Sequence, residues 1–402
     1  MRMKEFLNIG HPPTLFAAFL YFDISFMVWV LLGVLGAHIA QDFGLTAAQK
    51  GLLVAIPILG GSLVRIPLGM LVDRIGPKRA GVIGQLIVIL QLLLGWLWGH
   101  DLPQVLALGL LLGVAGGSFA VALPLASRWY PPTHQGLAMG IAGAGNSGTV
   151  ISALVAPRLA EAIGWHGVFG LALIPLLTVL AVFCVIAKEA PQHATPPKSV
   201  SDYLQLCREP DLGWLCLFYS FTFGGFVGLA SFLVIFFHDQ YGLSKVTAGN
   251  FTALCVFAGS FLRPVGGYLA DRFGGMRMLS LLFACAAAGV LALSLLPSLL
   301  VATALLLLIM SCLGMGNGSV FQLVPQRFRE DLGLATGIVG AAGGLGGFLL
   351  PFFLGLTGEL TGSYRPGLAC IGAVGLLCLA CLSLVRRRWH VSWLAPVLSS
   401  AP

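Results

Sequence analysis

The sequence has very little charge. Only 9% of its 402 residues are Asp, Glu, Lys or Arg, against about 25% in soluble domains. Acids are scarcest, 15 against 22 Lys and Arg, giving a formal charge of +7. The eight histidines and nine cysteines show no metal-ligand spacing. Cys378 and Cys381 form a C-x-x-C inside the last apolar run, where they read as neighbours on a helix face rather than a redox or metal pair. There is no nucleophile–base pair, no phosphate-binding loop and no cofactor motif, which argues against an enzyme. No signalling domain accompanies the apolar segments, which argues against a sensor. The basic residues sit in short clusters between apolar runs, so the positive balance does not point to nucleic acid.

What the chain has is hydrophobic length. Hydrophobic residues make up 58%, glycines number 53, and mean hydropathy is +0.95. A helix needs about 20 apolar residues to cross the hydrocarbon core. Twelve such runs lie near 14–38, 50–72, 80–98, 103–127, 136–160, 165–187, 213–237, 246–270, 278–296, 299–325, 333–358 and 366–385. The first follows Arg2 and Lys4 but is too long for a signal peptide and lacks a convincing cleavage site. The expected fold is an all-α membrane protein of twelve helices in two pseudo-symmetric halves. Residues 1–187 and 213–402 form the halves, and 188–212, with "KEAPQHATPPKS", forms the polar linker.

Basic residues set the expected orientation. Arg2, Lys4, Arg74, Lys78, Arg79, Arg128, Lys188, Lys198, Arg208, Arg272, Arg277, Arg327, Arg329, Arg386, Arg387 and Arg388 fall on one side. Lys50, Arg158, Lys245 and Arg365 fall on the other. Both termini and the linker are therefore expected in the cytoplasm, with the chain in the cytoplasmic (inner) membrane.

The halves repeat. Gly44-Leu45-Thr46 returns as Gly242-Leu243-Ser244, and Arg65, Gly69, Asp73, Arg74 and Gly76 return as Arg263, Gly267, Asp271, Arg272 and Gly274, always 198 residues on. Gly117-Ser118 and Pro124 return as Gly318-Ser319 and Pro325, 201 on. Six helices per half make this a parallel repeat, with a substrate site expected between the halves at mid-depth.

Two basic residues belong to neither loop set: Arg65 and Arg263. Each lies eight residues inside its span from Asp73 or Asp271, about 12 Å at 1.5 Å per residue, close to the middle of a core about 30 Å thick. Charges so deep are costly and usually face a polar cavity. Among the acids only Asp23 is well inside a span. Two guanidiniums facing one carboxylate leave a positive site, and their planar forks suit a small planar oxyanion such as nitrate. The alternative is that each arginine binds helix carbonyls and holds the bundle together.

"DRIGPKR" and "DRFGGMR" resemble the loop motif of the major facilitator superfamily. That resemblance implies a latch of helix ends by Asp73, Arg74, Asp271 and Arg272 in the outward-facing state; an ordinary charged turn is the simpler alternative. "GIAGAGNSG" (140–148) and "GIVGAAGGLGG" (337–347), together with the paired arginines, resemble the two signatures of the nitrate/nitrite porter (NarK-type) family. Their glycines include Gly143, Gly145, Gly148, Gly340, Gly343 and Gly344. The resemblance implies a pocket in which Arg65 and Arg263 clamp the anion, with Phe26, Phe119, Tyr219 and Phe223 as aromatic walls and Asn146 as a polar contact. A small hydroxyl residue can stand at position 340 in relatives; here only backbone is available. The implied function is secondary active transport of nitrate, with nitrite as second substrate and no cofactor. Proton-coupled uptake through Asp23 is the favoured mode, with nitrate/nitrite antiport or carriage of another small anion as the alternatives. Asp23 could equally be a structural partner of an arginine or of polar groups on the fifth or seventh span.

Overall fold

In the computed structural model, residues 9–191, 200–328 and 331–389 are described. Arg2, Lys4, Lys198 and Arg329, used above for orientation, and much of the Pro-rich linker lie outside them. Among the described residues, eleven helices are long and apolar enough to cross a membrane. They are α1 (Pro12–Phe43), α2 (Ala47–Ile75), α3 (Pro77–Leu97), α4 (Leu102–Ser127), the continuous stretch Ala138–Ile186, α7 (Pro210–Tyr241), α8 (Lys245–Phe273), α9 (Gly275–Leu293), α10 (Leu299–Arg327), α11 (Leu332–Thr361) and α12 (Arg365–Trp389). The stretch Ala138–Ile186 is two spans. Gly164 breaks it with φ 74° and ψ 158°, a conformation open to glycine, and so divides α5 (138–163) from α6 (165–186). Twelve spans result, and the chain is a multi-pass membrane protein. The linker region holds one further short helix, Val200–Leu206.

The repeat is visible in the backbone. Gly44 ends α1 at φ 61°, and Gly242 ends α7 at φ 64°. Thr46 and Ser244 then cap α2 and α8, accepting from the amides of Gln49 and Thr247, which satisfies donors that a helix start leaves open. Gly76 at φ 89° and Gly274 at φ 90° make the matching turns at the other end.

Small residues set how closely the helices pack. A Cβ on Gly113 would lie 2.3 Å from the Gly60 carbonyl carbon, so α2 and α4 touch backbone to backbone. In the second half, a Cβ on Gly314 would lie 1.9 Å from the Gly259 oxygen, locking α8 to α10 in the same way. The halves meet through a related pair of contacts. A Cβ on Gly51 would come within 2.5 Å of the Pro351 oxygen, joining α2 to α11. One on Gly249 would come within 2.6 Å of the Ala153 oxygen, joining α8 to α5.

Polar ties reinforce these contacts at the end opposite the DR motifs. Lys50 pairs with Asp239 at 2.7 Å, and the Ala48 amide donates to Glu359 at 2.8 Å. Arg158 Nη2 donates to Asn250 at 2.7 Å, and Lys245 donates to Gln41. All four join the first half to the second, so the bundle is closed at that end. An exposed pair such as Lys50–Asp239 is worth at most about 1 kcal/mol. Converting it to Lys50→Gln/Asp239→Asn should therefore shift the closed–open balance by up to about fivefold, not abolish closure. Electron-spin distance measurements between labels at Leu45 and Leu360 would read this; an unchanged distribution would mean that the glycine contacts alone hold the end shut.

Candidate functional site

Arg65, on α2, is buried, with 2% of its surface exposed. Its Nε and Nη2 donate to the Gly116 carbonyl of α4 at 3.3 and 3.4 Å, and Nη1 donates to the Gly340 carbonyl of α11. Its guanidinium carbon lies 4.9 Å from the ring centre of Phe223, 5.6 Å from that of Phe119 and 5.8 Å from that of Trp29. Both halves thus contribute to its surroundings, and a buried cation gains most from such ring faces when desolvated.

Arg263, the repeat partner on α8, is less enclosed. It faces the ring of Phe321 at 5.9 Å, and its Nη1 is buried with no hydrogen-bond partner. Tyr219 of α7 lies close enough to both arginines to feel both charges. Among the described residues no carboxylate pairs with Arg65 or Arg263. The centre is thus two like charges, Arg65 held by carbonyl dipoles and aromatic faces and Arg263 beside the Phe321 ring with donor capacity left over.

The aromatic residues form a connected wall. Tyr219 stacks on Phe223 at 5.1 Å and 4° and meets Phe321 edge-on at 4.9 Å. Phe321 reaches across to Phe119 at 5.7 Å, joining α10 to α4 about one turn nearer the motif-bearing end than Gly116. Phe26 is buried but packs on Phe22 and Trp29. The ring that α1 lays against Arg65 is Trp29, whose Nε1 donates to the Pro57 carbonyl at 2.7 Å. Trp29 and Phe321 were both missed by sequence reasoning. Trp29 lies one helical turn beyond Phe26, and Phe321 falls at the repeat position next to that of Phe119, so the signals were present.

The glycine signatures do three different things. Gly145 and Gly148 admit α1: a Cβ on either would strike the Asp23 backbone, at 2.8 and 1.9 Å. Gly343 and Gly344 admit side chains, since their Cβ atoms would come 2.5 Å from the Tyr219 ring and 2.8 Å from Ser62. Ser62 in turn donates to the Ala341 carbonyl at 2.6 Å. Gly143 meets nothing within 4 Å, and Gly340 leaves its carbonyl open to Arg65. A Cβ at 340 would sit 3.5 Å from Arg65 Nη1 and 3.9 Å from Phe119, so a side chain there would point at the arginine.

Asn146 lies in a 3-10 turn, Ala144–Ser147, that interrupts α5. It is buried, and its Oδ1 has no partner. The turn packs against α1 and α8. Asp23, half-buried on α1, accepts from Ser147 Oγ of the same turn at 2.6 Å. Of the four motif residues, Asp73 pairs with Arg128 at 2.9 Å, tying the ends of α2 and α4 within one half. Arg74, Asp271 and Arg272 are exposed. Arg329, which repeats Arg128, lies outside the described residues.

Residues 17–329 match the family model of the Major Facilitator Superfamily. The chain is 36% identical over 353 residues to the nitrite extrusion protein of Bacillus subtilis (strain 168), covering 88% of this chain and 89% of that one. It is 34% identical over 374 residues to the probable nitrate/nitrite transporter NarK2 of Mycobacterium tuberculosis (strain ATCC 25618 / H37Rv), covering 90% and 94%. This chain belongs to the major facilitator superfamily, in its NarK-type nitrate/nitrite porter branch. A solved bacterial homologue of the human lysosomal transporter Spinster, inward-facing and occupied, shares the fold with a TM-score of 0.73 at 18% identity, over 93% of this chain and 96% of that one.

The packing separates two glycines of one signature. Gly343→Ala forces a methyl into the Tyr219–Phe223 stack, and overpacking of this kind typically costs about 1–3 kcal/mol. Gly340→Ala adds only ordinary van der Waals contact. Thermal unfolding of the detergent-solubilised protein should show a clear drop for Gly343→Ala and almost none for Gly340→Ala; equal drops would contradict this packing.

Proposed function

We propose that the protein carries nitrate, with nitrite as a second substrate, across the cytoplasmic membrane by alternating access. The observation that carries this reading is the pair of deep guanidiniums with no carboxylate partner among the described residues, one of them with a buried N–H still unpartnered. A small anion is the chemistry that completes such a pair. A flat oxyanion matches the planar forks, and aromatic faces favour a weakly hydrated ion over a strongly hydrated one such as phosphate. The names of the relatives in Bacillus subtilis and Mycobacterium tuberculosis support the same substrate class. An empty site holds two like charges that resist enclosure. Bound anion offsets them and lets the halves 1–187 and 213–402 rock around it. On this reading Phe26 and Asn146 lie at the edge of the pocket, Phe119, Tyr219 and Phe223 form its walls, and Asp73, Arg74, Asp271 and Arg272 latch the cytoplasmic side in the outward-facing state.

Lysine keeps the charge of arginine but loses the fork. Each charge-assisted hydrogen bond is worth about 1.5–3 kcal/mol, so Arg65→Lys and Arg263→Lys should each weaken nitrate binding roughly ten- to hundredfold. Uptake of labelled nitrate into proteoliposomes, with competition by nitrite, formate and chloride, tests both the substrate and the residues. Near-normal uptake by Arg65→Lys would refute the reading.

Coupling is the finer part of the proposal. Nitrate entering a cell with a negative interior works against about 2.3 kcal/mol per 100 mV, so uptake needs protons or an exchanged anion. We favour proton symport through Asp23, the carboxylate nearest the signature turn. Exchange is the second reading: the Bacillus subtilis relative is named for nitrite extrusion, and Asp23 already has a structural partner in Ser147. Nitrate-driven acidification of proteoliposomes containing no internal anion substrate should occur in wild type and vanish in Asp23→Asn, with nitrate binding retained. Transport that requires internal nitrite or nitrate in wild type would make the protein an exchanger.

A further inference from the structure

A second basic feature lies away from the central site. The start of α3 and the end of α6 enclose an open groove of about 670 Å³ at the motif-bearing end of the bundle. Lys78, Arg79 and Lys188 line it, with Glu189 as the one acid. Glu189 is committed to structure. Its Oε1 accepts from the Lys78 amide at 2.8 Å, and it packs over Gly76, whose added Cβ would lie 2.6 Å from it. Lys78 Nζ donates to the Cys184 carbonyl of α6 at 2.7 Å, so the two helix ends are pinned and the groove is held in shape. Arg79 and Lys188 are exposed, and neither forms an ion pair among the described residues.

The groove's other wall is apolar. Val82 and Ile83 line it, and the strip continues down the outside of the bundle with Leu86, 54% exposed on α3, and Val185, 80% exposed on α6. These side chains face the bilayer, because exposed leucine and valine on a membrane span have lipid as their solvent. A site with cations above and a greasy wall below has the polarity of a phospholipid, headgroup over acyl chain. A soluble anion would use only its upper part. Basic pockets between helix ends are suited to acidic headgroups. Trp129 sits beside the groove, with its Nε1 donating to the Lys188 carbonyl at 3.1 Å, at the level where indoles anchor in the interface.

We propose that this groove binds the headgroup of an anionic phospholipid through Arg79 and Lys188, with Lys78 fixing its floor. Such a lipid would brace α3 against α6 immediately beside the Gly76 turn.

The test uses the full-length protein in detergent, titrated with phosphatidylglycerol, phosphatidylcholine or inorganic phosphate, and read by thermal unfolding and by native mass spectrometry of retained lipid. Phosphatidylglycerol should stabilise the wild type and stay bound, while phosphatidylcholine and phosphate should do neither. Arg79→Gln/Lys188→Gln should weaken phosphatidylglycerol binding by about fivefold for each cation removed. Arg386→Gln/Arg387→Gln, with the same loss of charge on α12, should bind like wild type. Should the first double variant fail to fold, Lys188→Gln alone and the charge-conserving Arg79→Lys/Lys188→Arg replace it, the former weakened and the latter retained. Equal weakening at both sites would mean a diffuse charge effect and overturn the proposal. So would an equal response to inorganic phosphate, or no preference over phosphatidylcholine.

Discussion

A guanidinium deep in a membrane bundle, with no carboxylate beside it among the described residues, is the constraint on which the rest of this structure depends. Arg65 is solvated by carbonyl oxygens from Gly116 and Gly340 and by the faces of three aromatic rings. Burying a charge without partners is prohibitive, so those carbonyls must be presented accurately. That demand reaches the sequence as glycine. Gly343 and Gly344 bring α11 close to α7 and α2, and the close approach puts the Gly340 carbonyl within reach of the arginine.

The repeat is symmetric in sequence and unequal in environment. Thr46 and Ser244, Gly44 and Gly242, Gly76 and Gly274 adopt matching conformations, yet Arg65 is sealed while Arg263 keeps an unpartnered Nη1. The local geometry therefore belongs to each half, and the difference belongs to how the halves meet. They meet tightly at one end, through Gly51, Gly249 and four polar ties. A pair of like halves closed at one end is compatible with the rocking proposed above. The four polar ties are all exposed, and the ion pair among them is individually weak.

Much of this was legible in the sequence because membranes leave few choices. Span length, the 198-residue offset and the two deep arginines are fixed by counting and by the cost of charge in lipid. The helix break between α5 and α6 was also legible, since a glycine stands between two apolar runs. Less legible was which ring on a helix faces inward. The resemblance points to Phe26 on α1, which is buried beside Trp29, and Trp29 is the ring that lies against Arg65; a helix apolar on every side carries no periodic signal to separate the two. Carbonyl binding is one of the two readings that the sequence leaves open for each arginine, and Arg65 takes it; which carbonyls serve was not legible, as a carbonyl has no letter. Asp23 stands out in the sequence as an acid within a span, while its partner Ser147 follows from the 3-10 turn that interrupts α5 at Asn146, a local geometry that composition does not encode.

The choice of carbonyl over carboxylate has a chemical consequence. A carboxylate beside Arg65 would hold it more firmly, but it would also neutralise it, and the centre would then offer an anion nothing. A carbonyl oxygen carries only part of a charge. It satisfies the N–H geometry and leaves most of the positive potential in place. Glycine is the residue that permits this, since any side chain at 343 or 344 would push α11 away and withdraw the carbonyl. In water a helix with so many glycines would lose about 1 kcal/mol for each relative to alanine. In lipid that cost matters less, because an unravelled turn would expose polar groups with nothing to bind. The membrane thus makes affordable a helix whose backbone, rather than its side chains, holds the charged centre.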